Sequence, residues 1–309
     1  MSSSAWSALA GLLATSTFAA SSSAQEPTLR VRVEVVTIDA HVHENQRPVA
    51  GLTAADFVVR DNGMEQAVHA VATTDSAHVI VALDVSGSVV GEVRERLQAA
   101  VSRLLSLLTP ADRLSVVTFG DRVRVHTVAA LPAEVKTEAL WPLSATGSTT
   151  LHDAIVVAAQ LGRADARPAL VLLFTDGTDT ASWSAAGTVL DALRRSSVVV
   201  VAVGAGLVDA GLTPADAWFF RAPSWLSPTP GDTLRFMHLL ADTTAGEFVR
   251  VERRADLADV FAGVLQRYRQ RYLLSFTPHP DNPRGWHRLE VRLREKEGTV
   301  AARPGYMVP

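Results

Sequence analysis

Apolar and polar residues alternate over 28–43, with Leu29, Val31, Val33 and Val35 in one phase and Val36, Ile38, Ala40 and Val42 in the other. A period of two marks a strand with one buried face, and the phase change at Val35-Val36 predicts a bulge or a crossover between sheets. Phe57-Val58-Val59-Arg60 and the run from Met64 to Val71 flank Asp61-Asn62-Gly63. That pattern predicts a hairpin in which Asn62-Gly63 supplies positive φ. From His78 the rhythm changes to short buried runs separated by amphipathic stretches. Strands are predicted at His78–Leu83, Leu114–Phe119, Ala169–Phe174 and Val198–Val203, with another near Glu247–Val251. Helices are predicted at about Glu92–Leu108, Leu151–Leu161, Ser184–Arg195, Leu234–Ala241 and Leu257–Arg271. Runs such as Val79-Ile80-Val81-Ala82-Leu83 lack alternation, as parallel strands covered on both faces do.

Strand–helix repetition of this kind implies a doubly wound, mostly parallel α/β sheet of Rossmann-like type. After Arg271 the pattern returns to strands: Tyr272 to Phe276, then Leu289, Val291 and Leu293 alternating with charged residues, then Thr299–Ala302 after a turn at Gly298. These strands are expected to complete the N-terminal β unit, because the two chain ends of a domain carrying an insertion often meet.

Composition narrows the picture. At 309 residues with 48% apolar and 20% charged side chains, the chain can bury a large core. A net charge of −3 argues against a strongly basic nucleic-acid surface. With no cysteine, disulfides, thiolate metal sites and cysteine nucleophiles are excluded. Residues 1–24 carry no charge and hold the apolar run Ala8 to Ala14, ending in Ser22-Ser23-Ala24. This predicts a secretory signal peptide cut after Ala24, although no Lys or Arg precedes the apolar run. No later segment offers about 20 uninterrupted apolar residues, so no membrane span is expected. The expected location is therefore periplasmic or secreted.

Candidate chemistry gathers where strands end. The strand ending at Leu83 runs into Asp84-Val85-Ser86-Gly87-Ser88, and ligands of open α/β sheets collect at carboxyl ends of strands. Gly147-Ser148-Thr149-Thr150-Leu151 opens a helix, and Phe174-Thr175-Asp176-Gly177 closes a strand, at the same edge. Asp84, Ser86, Ser88, Thr149 and Asp176 make an all-oxygen set suited to a hard cation, Mg²⁺ or Mn²⁺. Two carboxylates and three neutral hydroxyls leave such an ion electrophilic toward an incoming carboxylate. Each piece alone also reads as local structure: a polar turn, an N-cap at Thr149, an ordinary strand-end turn at Asp176-Gly177.

At these residues the chain resembles the von Willebrand factor A-type domain and its metal-ion-dependent adhesion site (MIDAS). The family's Asp-x-Ser-x-Ser matches Asp84, Ser86 and Ser88, its later Thr matches Thr149, and its strand-end Asp matches Asp176. Ser148 stands where many relatives have a second Gly. The resemblance implies that Ser86, Ser88 and Thr149 touch the ion, that Asp84 and Asp176 act mostly through water, and that a protein partner's acidic side chain fills the last position. The flanking segments Gly51 to Phe57, Asp61-Asn62-Gly63, Arg271 to Phe276 and Arg303-Pro304-Gly305-Tyr306 resemble the bacterial exported group of VWFA-related proteins. The organisation expected is a signal peptide over 1–24, an N-terminal β unit over 28–74, a von Willebrand A-type domain over 77–271, and C-terminal strands over 272–307. The α/β domain is thus inserted in a small β-sandwich made by strands from both chain ends.

Metal-dependent protein binding is the expected function. Two alternatives stay open: a metal-free scaffold with a vestigial site, and a metal-dependent phosphohydrolase using Asp84. Against the enzyme, no Gly-x-Ser-x-Gly, His-Glu-x-x-His or phosphate-binding Gly-Lys-Ser/Thr loop is present, and Ser86 stands where a phosphatase usually places its second acid. Weaker signals remain. His41 and His43 share a strand face and are expected on an exposed polar surface. His152 is expected on a helix surface, and Asp179 either rims the metal loop or forms a turn. The aromatic residues of Gly204–Asp232, among them Trp218 and Phe219, are expected either as a recognition surface or as a lid on the domain's own core.

Overall fold

The structure, a computed structural model, describes residues 35–308 apart from 46, 74, 142–146, 207–229, 253–254 and 280–282. The stretch expected as a signal peptide, the first half of the 28–43 alternation and most of Gly204–Asp232 lie outside the described residues.

Strands β1 (Val36–Glu44), β2 (Arg47–Pro48), β3 (Phe57–Asp61), β4 (Met64–Gln66) and β5 (Val68–Thr73) come first. Ile38, Ala40 and Val42 are the buried phase of β1, as the alternation predicts. Asn62 (φ 48°) and Gly63 (φ 85°) turn the β3–β4 hairpin, with Asp61 opposite Met64. Then follow β6 (His78–Asp84), α1 (Glu92–Leu107), β7 (Arg113–Phe119), β8 (Val123–Ala130), α2 (Leu151–Leu161), β9 (Ala169–Thr175), α3 (Ala186–Arg194), β10 (Val199–Ala205), α4 (Pro230–Thr244), β11 (Glu247–Val251) and α5 (Leu257–Arg269). The chain closes with β12 (Tyr272–Phe276), β13 (Gly285–Leu293), β14 (Thr299–Ala302) and β15 (Gly305–Val308). Among the described residues no helix is long and apolar enough to cross a membrane.

The central sheet has the order β11-β10-β9-β6-β7-β8 and is parallel except for β8, which runs antiparallel to β7. Every residue of β6 and β9 is buried, which is why their sequences are unbroken apolar runs. Leu97, Val101 and Leu104 of α1 pack with Phe261, Val264 and Leu265 of α5 on one face. Ile155 and Ala158 of α2, Val189 and Leu193 of α3, and Met237 and Leu240 of α4 cover the other. The strand β8 has no counterpart in the sequence reading. It lies at the sheet edge with Val125 and Val128 half exposed, and Ala129 at φ 44° together with shifts of pairing register breaks its alternation.

Strands from the two chain ends interleave in two antiparallel sheets. One has the order β14-β1-β12-β5, with β2 added to β1, and the other β15-β13-β3-β4. Ile38, Val42, Phe57, Val59, Leu274, Phe276 and Leu289 form their shared core. The α/β part is therefore inserted in the chain between β5 and β12, as the sequence predicts.

The outer face of β1 meets the α/β part. Buried Arg271 donates to Asp39 Oδ1 at 3.0 Å and to the carbonyl of Ala245 at the end of α4. Arg303 donates to the Leu193 carbonyl at 3.2 Å near the end of α3, and Arg194 lies over the Trp286 ring. This contact explains why His41 and His43 are half-buried and stacked, with ring centroids 5.5 Å apart, and not on an exposed surface. Burial, with Arg271 nearby, pushes His41 down to about 4.

A second buried ion pair lies inside the sandwich. His287 Nδ1 is 2.8 Å from Asp61 Oδ1, its Nε2 is 2.7 Å from the Pro283 carbonyl, and Tyr306 donates to Asp61 Oδ2 at 2.8 Å. A carboxylate on one ring nitrogen and a carbonyl on the other both ask for N–H, so the imidazolium is favoured. Burial alone lowers the His287 pKa, but the Pro283 carbonyl and Asp61 outweigh it and hold it above the ordinary value.

Two predictions follow from these pairs. Arg271→Met strands the buried Asp39 carboxylate and is expected to cost about 3 kcal/mol in urea unfolding, most of it regained in the double variant with Asp39→Leu. The His287 pair contributes stability that is complete below the ordinary histidine value of about 6.5 and is lost as pH rises through the raised folded value. Unfolding free energy measured from pH 6 upward is therefore expected to fall in the wild type and to stay flatter in His287→Gln.

Candidate functional site

Four of the five candidate residues, Asp84, Ser86, Ser88 and Asp176, are brought together at the ends of two adjacent strands. β6 and β9 pair in register up to Leu83 opposite Phe174, so Asp84 and the Thr175-Asp176 pair emerge side by side. Asp84 is fully buried. Its Oδ1 accepts from the Ser86 amide at 2.9 Å and its Oδ2 from the Thr175 hydroxyl at 2.7 Å. Ser88 donates to Asp176 Oδ1 at 2.6 Å, and the Ser86 and Ser88 hydroxyls lie 3.3 Å apart. Thr149 precedes α2 and is buried. Its amide donates to Thr180 Oγ1 at 2.9 Å and its carbonyl accepts from the amides of Thr180 and Ala181. A methyl group added at Gly177 would sit 3.8 Å from the Thr149 hydroxyl, so this threonine faces the loop that carries Asp176. The edge lies between β6 and β9, where the chain crosses from helices on one face of the sheet to helices on the other; open α/β sheets bind ligands there.

A family model for the von Willebrand factor type A domain matches residues 78–216. The chain contains a von Willebrand factor type A domain. Solved structures of similar fold include proximal thread matrix protein 1 from the mussel byssus, at 16% identity over 67% of this chain and 50% of that one, with a TM-score of 0.49. The same mussel protein with a zinc-occupied MIDAS motif gives 16% identity, 66% and 48% coverage, and a TM-score of 0.48. A von Willebrand factor type A structure from Catenulispora acidiphila gives 14% identity, 85% and 75% coverage, and a TM-score of 0.49. The chain spans about half the length of the mussel protein.

Within the von Willebrand factor type A domain the electrostatics at Asp84 are unfavourable without a counter-charge. Burial pushes its carboxyl up to about 6; hydrogen bonds from Ser86 and Thr175 hold it back in part, and the charge of Asp176 pushes it further up. No lysine or arginine pairs with Asp84 among the described ion pairs. A divalent cation at this edge would relieve both the desolvation and the repulsion, so the donor set fits a hard ion. Among the described residues no group of three or more His, Asp or Glu side chains is placed to hold a metal ion, so the candidate set depends on its hydroxyls.

The loop after Asp176 is tied to the first turn of α2. Asp179 Oδ1 accepts from the His152 amide at 3.1 Å and from the Ser182 hydroxyl, and Ser182 Oγ accepts from the Asp153 amide. Asp153 in turn accepts from the amides of Trp183 and Ser184, both at 2.9 Å. The His152 ring sits 3.0 Å from the Ser184 carbonyl and edge-on to Phe236 at 4.6 Å. It is half-buried and braces the loop; the expected helix-surface position is not what the structure has. Thr175, Asp153, Thr180 and Ser182 escaped the sequence reading. Each is a common turn or cap residue, and only the meeting of β9 with α2 gives it a partner.

A buried carboxylate without a counter-charge is a stability cost even when hydrogen-bonded. In chelator at pH 8, Asp84→Asn is expected to raise the unfolding free energy by about 1 kcal/mol: it removes the desolvated charge and gives up one hydrogen bond. Urea titration of the wild type and the variant checks this, a lower stability in the variant being the contrary outcome.

Proposed function

We propose that this protein is a metal-dependent protein-binding module. Ser86, Ser88 and Thr149 would hold Mg²⁺ or Mn²⁺, with Asp84 and Asp176 supplying the negative charge around it, and the partner would offer an acidic side chain. The observation that carries this reading is the convergence of Asp84, Ser86, Ser88 and Asp176 in one hydrogen-bonded set at the β6–β9 edge, with Thr149 facing it. Bound there, the ion supplies an electrophilic position for a carboxylate. The protein's own part is to keep three neutral hydroxyls at the point of contact while the carboxylates stay behind them. Interaction through a MIDAS-type site is also the usual work of the domain's family.

The phosphohydrolase reading fares worse on one observation. Both oxygens of Asp84 accept hydrogen bonds, and the side chain is fully buried, so it is a poor nucleophile. We take the protein to be non-catalytic and, from the uncharged Ala/Ser-rich segment over 1–24, to be exported.

Titration of the whole chain with Mg²⁺ or Mn²⁺ tests the site. A ligand that binds only the folded state at 100 times its Kd adds about 2.7 kcal/mol, so saturating metal is expected to raise the melting temperature by several degrees. Ser86→Ala is expected to lose most of that shift. No heat of binding and no thermal shift in the wild type would leave the metal-free scaffold as the better reading.

A further inference from the structure

Trp183 is 98% exposed. An indole buries 150–250 Å² when it packs, so full exposure of one is the opposite of what folding favours. The other exposed tryptophan of the described residues, Trp286, is 40% exposed, has Arg194 over its ring, and lies against Gly305. Among the described residues Trp183 has no comparable cover.

The backbone beneath it is firmly fixed. The Trp183 amide donates to Asp153 Oδ2, the Ser184 amide to Asp153 Oδ1, and the Asp153 amide to Ser182 Oγ. Asp179 holds the His152 amide, and Thr180 and Ala181 both donate to the Thr149 carbonyl. Burial tends to raise the Asp153 pKa, but these hydrogen bonds outweigh it and hold the carboxyl below its ordinary value, so the acceptor stays charged. Every one of these bonds ends on Thr149, His152 or Asp153, the segment that carries one of the candidate metal ligands. The backbone that carries the indole is therefore held at a fixed position relative to Thr149, so presenting it to a ligand leaves only the two side-chain torsions to be ordered.

We propose that Trp183 is a second anchor on the binding surface that begins at the metal edge, and that the surface takes an acidic peptide segment: an Asp or Glu directed to the ion, with a nearby aliphatic or proline side chain packed on the indole. The inference rests on the metal reading above and adds to it the chemistry of the partner. Tryptophans are among the commonest carriers of binding energy at protein interfaces. The carboxylates at this edge, Asp176 and Asp179, repel an acidic peptide unless the cation is present. The ion and the indole therefore select for different features of one ligand.

The test uses the whole chain and random displayed peptides selected in Mg²⁺, followed by synthesis of the enriched sequences and titration by fluorescence polarisation. Enriched peptides are expected to pair an acidic residue with an aliphatic or proline neighbour. They should lose binding in chelator and bind Trp183→Ala about tenfold more weakly, with its melting temperature unchanged. Chelator-sensitive binding that is equally tight in Trp183→Ala would overturn the anchor and leave the metal reading standing. Binding indifferent to chelator would overturn the metal reading and this inference with it, as would enrichment of peptides without acidic residues. Acrylamide quenching of the wild type minus Trp183→Ala is the control on the free protein. A shielded indole, or a variant of lower melting temperature, would mean that the chain itself covers Trp183, and would also overturn the proposal.

Discussion

The carboxylate of Asp84 is the constraint around which the candidate edge is built. It stands at the last position of the first central strand, fully buried, with a charged neighbour of the same sign in Asp176. Water cannot solvate it, so the surrounding chain must: the Ser86 amide takes one oxygen and the Thr175 hydroxyl the other. Those two bonds set the course of the loop after β6 and fix the end of β9 beside it. Ser88 is then carried to Asp176, and the hydroxyls of Ser86 and Ser88 come together in front of the buried charge. The residual cost at Asp84 is what a cation there would relieve.

Thr149 completes the arrangement by a different route. It belongs to no strand, and its position depends on the loop after Asp176, whose amides and hydroxyls grip the start of α2 from Thr149 to Asp153. The loop and the helix terminus hold each other: unpaired amides of the first helical turn find Asp179 and Ser182, while Asp153 accepts the amides of the loop. This mutual capping lets a polar, solvent-facing loop stay ordered without a core of its own.

Much of this was legible in the sequence, for a physical reason that also marks its limits. Runs such as Val79 to Leu83 and Leu170 to Phe174 are apolar on both faces because both faces are covered, so burial wrote the central strands into the composition. Helices α1, α2 and α5 announce themselves by one-sided apolar spacing, and Asn62-Gly63 by its turn chemistry. The edge strand β8 did not, because none of its residues is fully buried and a bulge at Ala129 breaks its period. His41 and His43 were read as exposed because local sequence cannot say what lies across from a strand face. The covering groups, Arg271 with Ala245 behind it, come from more than 200 residues away. Asp84, Ser86, Ser88, Thr149 and Asp176 can be named as candidates from sequence because the spacing of the first three and the strand-end or helix-start positions of the others survive as local pattern. Asp153 and Thr175 cannot, since their partners exist only in the folded sheet.

The insertion of the α/β part into the sandwich has a geometric consequence for that edge. The chain enters at the amino end of β6 and leaves at the carboxyl end of α5, which runs back against the strands, so both connections lie at the amino-terminal end of the sheet. The other junction contacts agree: Ala245 at the end of α4, Leu193 and Arg194 at the end of α3, and Glu247 at the start of β11, whose charge is felt at His41. The candidate ligands lie at the opposite end, about 20 Å away by the length of a 13-residue helix such as α5. Among the described residues the sandwich therefore lies at one end of the α/β part, and the loops around Asp84, Thr149 and Trp183 at the other end belong to the α/β part itself. The buried Arg271–Asp39 pair helps to hold the sandwich at the far end of the sheet.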